Sequence, residues 1–150
     1  MSEANNRTLD ARLAEITSRL FFNCQEKETK YVTKYGVSTV EFRCMRFLYE
    51  NEQLTVNQLA QLMTLTSSRI TRIIDSLVEK KLVVRESGKQ DRRVYYLSLT
   101  NKGKKLSAAM IEDHTKMHAE ILQSIPIDKQ LLMFENLEHL NQAVEKWLKS

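Results

Sequence analysis

The sequence predicts a mainly α-helical chain with a small β wing, on three observations. Apolar residues recur three and four apart through most of the 150 residues, the spacing that places them on one face of a helix. Only three glycines and one proline interrupt them, which favours long helices over a sheet sandwich. One stretch breaks the helical pattern. Leu82-Val83-Val84-Arg85 and Val94-Tyr95-Tyr96-Leu97-Ser98-Leu99 are rich in β-branched and aromatic residues, with Ser87, Gly88 and Asp91 between them, the composition of a hairpin with a long loop.

Taken in order, Leu9, Leu13, Ile16 and Leu20, continued by Phe21, Cys24 and Tyr31, mark a long first helix. A helix of that reach carries more apolar surface than a small domain covers, so it is expected to pack against a second subunit. Gly36 interrupts, and Ser38 or Thr39 caps a second helix, Val40 to Tyr49, with Phe42, Met45, Phe47 and Leu48 as core candidates. After a turn at Asn51 to Gln53, Leu54-Thr55 is placed as one short strand beside the hairpin. Thr55 caps a third helix, Val56 to Met63, expected to bury Leu59 and Leu62. Met63 to Leu65 then forms the turn of a helix-turn-helix, whose first helix braces the second. The Thr66 hydroxyl caps that second helix, and Ile70, Ile73, Ile74 and Leu77 make its buried stripe.

From Asn101 a fifth helix carries Leu106, Met110, Met117 and Ile121 to about Ser124. Ile125-Pro126-Ile127-Asp128 breaks and recaps the chain, and a sixth helix follows with Met133, Leu137, Leu140, Val144 and Trp147. This amphipathic C-terminus is assigned, with the first helix, to the subunit interface. No apolar run approaches the roughly 20 residues of a membrane span, and the N-terminus lacks a signal-peptide core, so a cytoplasmic protein without membrane partners is expected.

The net charge of +4 is modest, but its distribution is not even. From Thr66 to Lys105 there are eleven Lys and Arg against four Asp and Glu, an excess larger than that of the whole chain, so the rest is net negative. Basic charge concentrated on one structural unit suits a polyanion. Within it, Ser67, Ser68, Arg69, Thr71 and Arg72 occupy the outer face near the start of the Thr66 helix, where a helix entering a major groove presents side chains to base edges. Arg69 and Arg72 are candidates for guanine edges. Ser67, Ser68 and Thr71 suit bases or phosphates, and the alternative for Arg72 is an ion pair with Asp75 or bonds to backbone groups on the Ser68 side. In the hairpin loop Lys89, Arg92 and Arg93 form a cationic finger suited to phosphates or a minor groove, with Asp91 as the acid that aims one of the arginines. Arg85, at the base of the loop, suits phosphate or a pair with Glu86 or Asp91. Lys102, Lys104 and Lys105 oppose the dipole at the start of their helix, so nearby phosphate or solvation explains them better than helix stability.

The Thr66 helix, Asp91-Arg92-Arg93 and the ending Leu99-Thr100-Asn101-Lys102-Gly103 together resemble the winged helix-turn-helix of MarR-family transcription regulators. The resemblance covers nearly the whole chain. It implies one domain over 1–150, with a winged helix-turn-helix at about 38–103 flanked by dimerisation helices at about 8–34 and 104–150. It further implies a homodimer on a palindromic double-stranded DNA operator, acting as a repressor that a small, often aromatic ligand releases. Phe21, Tyr31, Phe42 and Phe47 are candidate liners of such a ligand site, each with ordinary core packing as the alternative. One position departs from the family. Lys81 stands where members usually have the glycine that ends the recognition helix, and a left-handed backbone there is strained for lysine.

Rival chemistry has thinner support. His114 and His118 are four apart on one helix, a spacing compatible with Zn²⁺, yet the first two helices have no histidine and offer only Cys24 or a glutamate such as Glu26 or Glu41 to complete a site, so no metal is expected. A peroxide-sensing member would have its cysteine about where Ala14 falls. Cys24 and Cys44 are instead expected to fill helix interiors as small apolar side chains, although Lys27 one turn from Cys24 would favour its thiolate slightly. Neither G-x-S-x-G, a P-loop, a dinucleotide glycine pattern nor H-E-x-x-H is present, so no enzyme and no cofactor is expected. A winged helix that only docks proteins has no need to gather arginines at both places where a duplex would meet it.

Overall fold

The computed structural model describes residues 8–88 and 94–150. The elements run α1 (Leu9–Thr33), α2 (Thr39–Asn51), β1 (Gln53–Thr55), α3 (Val56–Met63), α4 (Ser67–Glu79), β2 (Val83–Ser87), β3 (Tyr95–Leu99), α5 (Asn101–Gln123) and α6 (Ile127–Leu148). They form two compact units, one ending at Met110 and the other Ile111–Ser150. The architecture is six helices with a small three-stranded antiparallel sheet, a winged helix-turn-helix between longer helices.

Helix starts in the first unit follow local chemistry. The Ser38 hydroxyl accepts from the Glu41 amide at 3.3 Å while the Glu41 carboxylate accepts from the Ser38 amide at 2.7 Å. Thr55 and Gln58 repeat this reciprocal arrangement at 3.2 and 2.8 Å. Each closes two backbone donors that would otherwise face water alone. Thr66 caps α4 through the Arg69 amide at 3.4 Å. The core gathers Val32, Met45, Leu48, Leu59, Ile70, Ile74, Leu77 and Leu97, all essentially shielded from water.

Some core expectations are corrected. Leu62 is exposed, because the buried side of α3 runs through Val56, Leu59, Ala60 and Met63, and Leu62 lies about 100° away from it around the helix. Phe47 is only half-buried. Cys24 is exposed on α1 rather than filling an interior, whereas Cys44 is buried.

In the sheet, β3 lies between β1 and β2. Leu54 faces Leu97, and Val83 faces Leu99, so the alternation of the strands turns all four toward the core. The hairpin closes as far as the hydrogen bond from the Gly88 amide to the Val94 carbonyl at 2.8 Å.

Both helices of the helix-turn-helix end in the same way. Thr64, with φ +53°, ends α3, its amide bonding the Gln61 carbonyl and the Leu65 amide the Ala60 carbonyl. Lys81, with φ +59°, ends α4, its amide bonding Val78 and the Leu82 amide bonding Leu77, both at 2.9 Å. This is the left-handed ending that glycine serves best. Lys81→Gly is therefore expected to stabilise the protein by about 1 kcal/mol in denaturant titrations. A midpoint that stayed put or fell would mean the lysine stem packs better than its exposure suggests.

The next three carbonyls at this end are taken. Lys102 Nζ donates to the Lys80 carbonyl at 3.0 Å, Thr100 Oγ1 to Lys81 at 2.8 Å, and the Thr100 amide to Leu82 at 3.0 Å. Lys102, exposed to solvent, thus also serves the negative end of α4. Gly103 follows, its amide donating to Thr100 Oγ1 at 2.9 Å.

Aromatic packing anchors α1 to this unit. Tyr31 meets Phe42 edge to face with ring centres 5.7 Å apart, and its hydroxyl donates to the Met110 carbonyl. Further toward its N-terminus, α1 exposes Leu9, Leu13, Ile16, Leu20, Phe21 and Phe22. In the second unit, Gln130 Nε2 ties the turn by donating to the Leu122 and Ile125 carbonyls at 3.1 and 3.0 Å. No residue of α6 is buried, and Leu131, Phe134, Leu137, Val144 and Trp147 are exposed along it.

Candidate nucleic-acid interface

The buried stripe of α4 determines what its other face presents. Ile70, Ile73, Ile74 and Leu77 are fully enclosed, so Ser67, Ser68, Arg69, Thr71 and Arg72 all stand on the exposed side of the first turns. Their hydrogen bonds sort them. Ser67 Oγ donates to Asn57 Oδ1 at 2.9 Å, joining the starts of α3 and α4. Thr71 Oγ1 donates to the Ser67 carbonyl at 2.9 Å, and Ser68 Oγ lies 3.2 Å from Thr66 Oγ1. The three hydroxyls keep acceptor capacity but begin with a local partner each. Arg69 and Arg72 form no ion pair with any described residue.

The pair considered for Arg72 is corrected. Asp75 is held by Arg85, whose guanidinium donates to the Asp75 carboxylate at 2.7 Å and to the Thr71 carbonyl at 3.2 Å. Arg85 therefore bonds α4 rather than Glu86 beside it on β2. The cause is register: Arg85 lies opposite Leu97, and directly paired residues project from the same face, here the one that buries Leu97. Its side chain is about two-thirds covered, so it joins the hairpin to α4. Lys89, Asp91, Arg92 and Arg93 lie outside the described residues.

Of the ligand-site candidates, Tyr31 and Phe42 belong to the core, Phe47 is half-buried and Phe21 is exposed on α1. Among the described residues no group of three or more His, Cys, Asp or Glu is placed to hold a metal ion. Glu26 pairs with Lys30 at 2.7 Å, and Glu41 is committed to Ser38, Ser76 and Lys80. His118 Nδ1 lies 2.8 Å from the His114 carbonyl, and the two rings stack edge to face with centres 4.3 Å apart.

The two cysteines differ in environment. Burial first, and the nearby Glu41 charge second, push the Cys44 thiol up to about 12, so it stays protonated and unreactive. Alkylation of the native protein followed by mass spectrometry should label Cys24 and spare Cys44 until denaturant is added. Equal labelling of both would contradict the enclosed position of Cys44.

The polar cluster around Glu41 escaped the sequence reading, as did Asn57. Burial alone would raise the Glu41 carboxyl, but hydrogen bonds from Lys80, Ser38 and Ser76 and the Lys80 charge outweigh it and hold the group below the usual carboxylate value. Its contribution to stability is thus complete above the ordinary pKa near 4.5 and is lost as pH falls through the lower native value. No periodicity points to a pair 39 residues apart. The one local signal was the reciprocal Ser38-x-x-Glu41 cap.

The chain is similar to several known proteins. Residues 35–94, which contain the helix-turn-helix and the first strand of the hairpin, match the MarR family. The chain is 29% identical to the HTH-type transcriptional regulator MhqR of Bacillus subtilis, over 77% of its own length and 78% of that protein. It is 26% identical to the transcriptional repressor MdtR of the same organism, over 97% of its length and 92% of that protein. Streptococcus pneumoniae FabT, solved in complex with DNA, has the same fold with a TM-score of 0.79 at 24% identity, covering 91% of this chain and 98% of that one. The caps, the twin left-handed helix ends, the three-stranded wing and these likenesses agree: residues 35–94 match the MarR family, and the chain as a whole has the winged helix-turn-helix fold of its regulators.

Proposed function

We propose that this regulator binds double-stranded DNA sequence-specifically as a homodimer, with α4 of each subunit in a major groove, and represses from a roughly palindromic operator. The observation that carries the reading is the start of α4. Two arginines one turn apart stand exposed there with no ion pair to a described residue, while Asp75, the nearest carboxylate on the helix, is occupied by Arg85. A guanidinium fork not engaged in the protein is the side chain best matched to the O6 and N7 acceptors of guanine. Ser67, Ser68 and Thr71 flank them for bases or phosphates, Arg85 braces the wing, and Lys89, Arg92 and Arg93 with Asp91 are assigned to the backbone or minor groove. The crystallised FabT complex supports DNA as the partner, and the name of MdtR supports repression.

The apolar lengths of α1 and α6 support the dimer, since leaving them in water opposes folding. Release by a small aromatic ligand remains part of the proposal, with Phe21, Tyr31, Phe42 and Phe47 as candidates to line its site. No helix among the described residues is long and apolar enough to cross a membrane. Selection from a random duplex pool tests the reading. It should enrich a two-fold symmetric sequence with half-sites about one helical turn, roughly 34 Å, apart. A pool that never enriches, or a protein that sediments as a monomer, would end it.

A further inference from the structure

We propose that Lys80 is a positioning residue for DNA recognition, tying the end of α4 to Glu41 on α2 and to the junction between α1 and α2. The proposal rests on the DNA-binding reading above. Lys80 Nζ lies 2.8 Å from each carboxylate oxygen of Glu41 and 3.0 Å from the Gly36 carbonyl. An ammonium has three protons, and here three acceptors surround it. Glu41 is 5% exposed and also accepts from Ser76 Oγ at 2.7 Å and the Ser38 amide at 2.7 Å. Ser76 and Lys80 are one turn apart on α4, so a single buried carboxylate grips that helix at two points. The Lys80 carbonyl, in turn, takes Lys102 Nζ from the start of α5.

This arrangement does something the apolar core cannot. The stripe of Ile70, Ile73, Ile74 and Leu77 drives α4 onto α2 without direction, and side chains of that kind tolerate small rotations and slides. Charge-assisted hydrogen bonds are directional and fix both. The grip is at the C-terminal end of α4 while the side chains assigned to DNA are at the N-terminal end. A 13-residue helix is roughly 20 Å long, so a small tilt at the grip is a large displacement at the bases. Lys80 belongs to the basic cluster by sequence, yet its charge is spent inside the protein.

Salt titration separates this role from a phosphate contact. Binding of the pool-selected duplex and of an unrelated duplex is measured across a salt series for the parent, Lys80→Met and Lys80→Arg, well below the melting temperature and per active molecule. Lys80→Met should weaken the selected duplex about tenfold while leaving the unrelated duplex and the slope of log K against log salt unchanged. Lys80→Arg, which can still reach both oxygens, should retain most of the affinity. A slope smaller by about one would make Lys80 a phosphate contact and overturn the proposal. So would unchanged specific affinity, or equal losses on both duplexes. If Lys80→Met does not fold, Glu41→Gln carries the same expectation, since it keeps the shape and removes the charge. A parent that holds no duplex fails differently, overturning the DNA-binding reading and this proposal with it.

Discussion

Gly103→Ala should cost the protein about 3 kcal/mol of stability, seen as a fall of roughly 6–12 °C in melting temperature. A Cβ at this position would lie 2.1 Å from the Leu82 carbonyl oxygen, 3.0 Å from its carbon and 3.3 Å from Leu99 Cδ2. The obstacle is backbone, and it cannot swing away. The Leu82 carbonyl already accepts from the Thr100 amide at 3.0 Å and from Thr100 Oγ1 at 3.3 Å, and the Leu82 amide is bonded to Leu77. Moving it breaks the end of α4 and the start of α5 together. An alanine variant that melts within a degree of the parent would mean that α5 approaches Leu82 less closely than described.

Replacing both Arg69 and Arg72 by alanine should weaken binding to the selected duplex about a thousandfold at matched salt, without lowering the melting temperature. Each bidentate contact to a guanine is worth about 1–3 kcal/mol, and neither residue has a described ion pair whose loss would complicate the measurement. Both side chains stand on the exposed side of α4, away from the stripe that holds the helix. Reselection with the double variant should relax the sequence preference at the positions they read. Retained affinity with retained preference would move recognition elsewhere, to the wing or to the hydroxyls.

Much of this architecture was legible because its signals are local. A capping hydroxyl, a stripe spaced by three and four, and a run of β-branched residues act within one turn or strand, and Thr55, Thr66 and the α4 stripe behave as their spacing requires. The candidate site benefited from the same logic, since four enclosed residues on a helix leave only one face for its polar ones. What escaped depends on which segments meet. Leu62 is apolar but off the buried side of α3, and Cys24 continues a stripe whose outer stretch α1 leaves exposed. Asp75 could be assigned to Arg72 by proximity along the helix, yet Arg85 reaches it from the sheet. Lys80 and Lys102 counted as surface charge until the fold brought carbonyls and a carboxylate beside them. The apparent fault at Lys81 is tolerated for a related reason, because Thr100 and Lys102 satisfy the carbonyls around it.

The bond between the Thr100 amide and the Leu82 carbonyl also pins the hairpin at its root. Everything beyond that pin is an excursion whose ends are already joined. Chain entropy then makes lengthening cheap, roughly 0.6 kcal/mol for each doubling of a flexible loop. Insertions or exchanges between Gly88 and Val94 are therefore expected to leave the helices their stability. On the proposed DNA-binding reading, target preference and foldability are then under separate control.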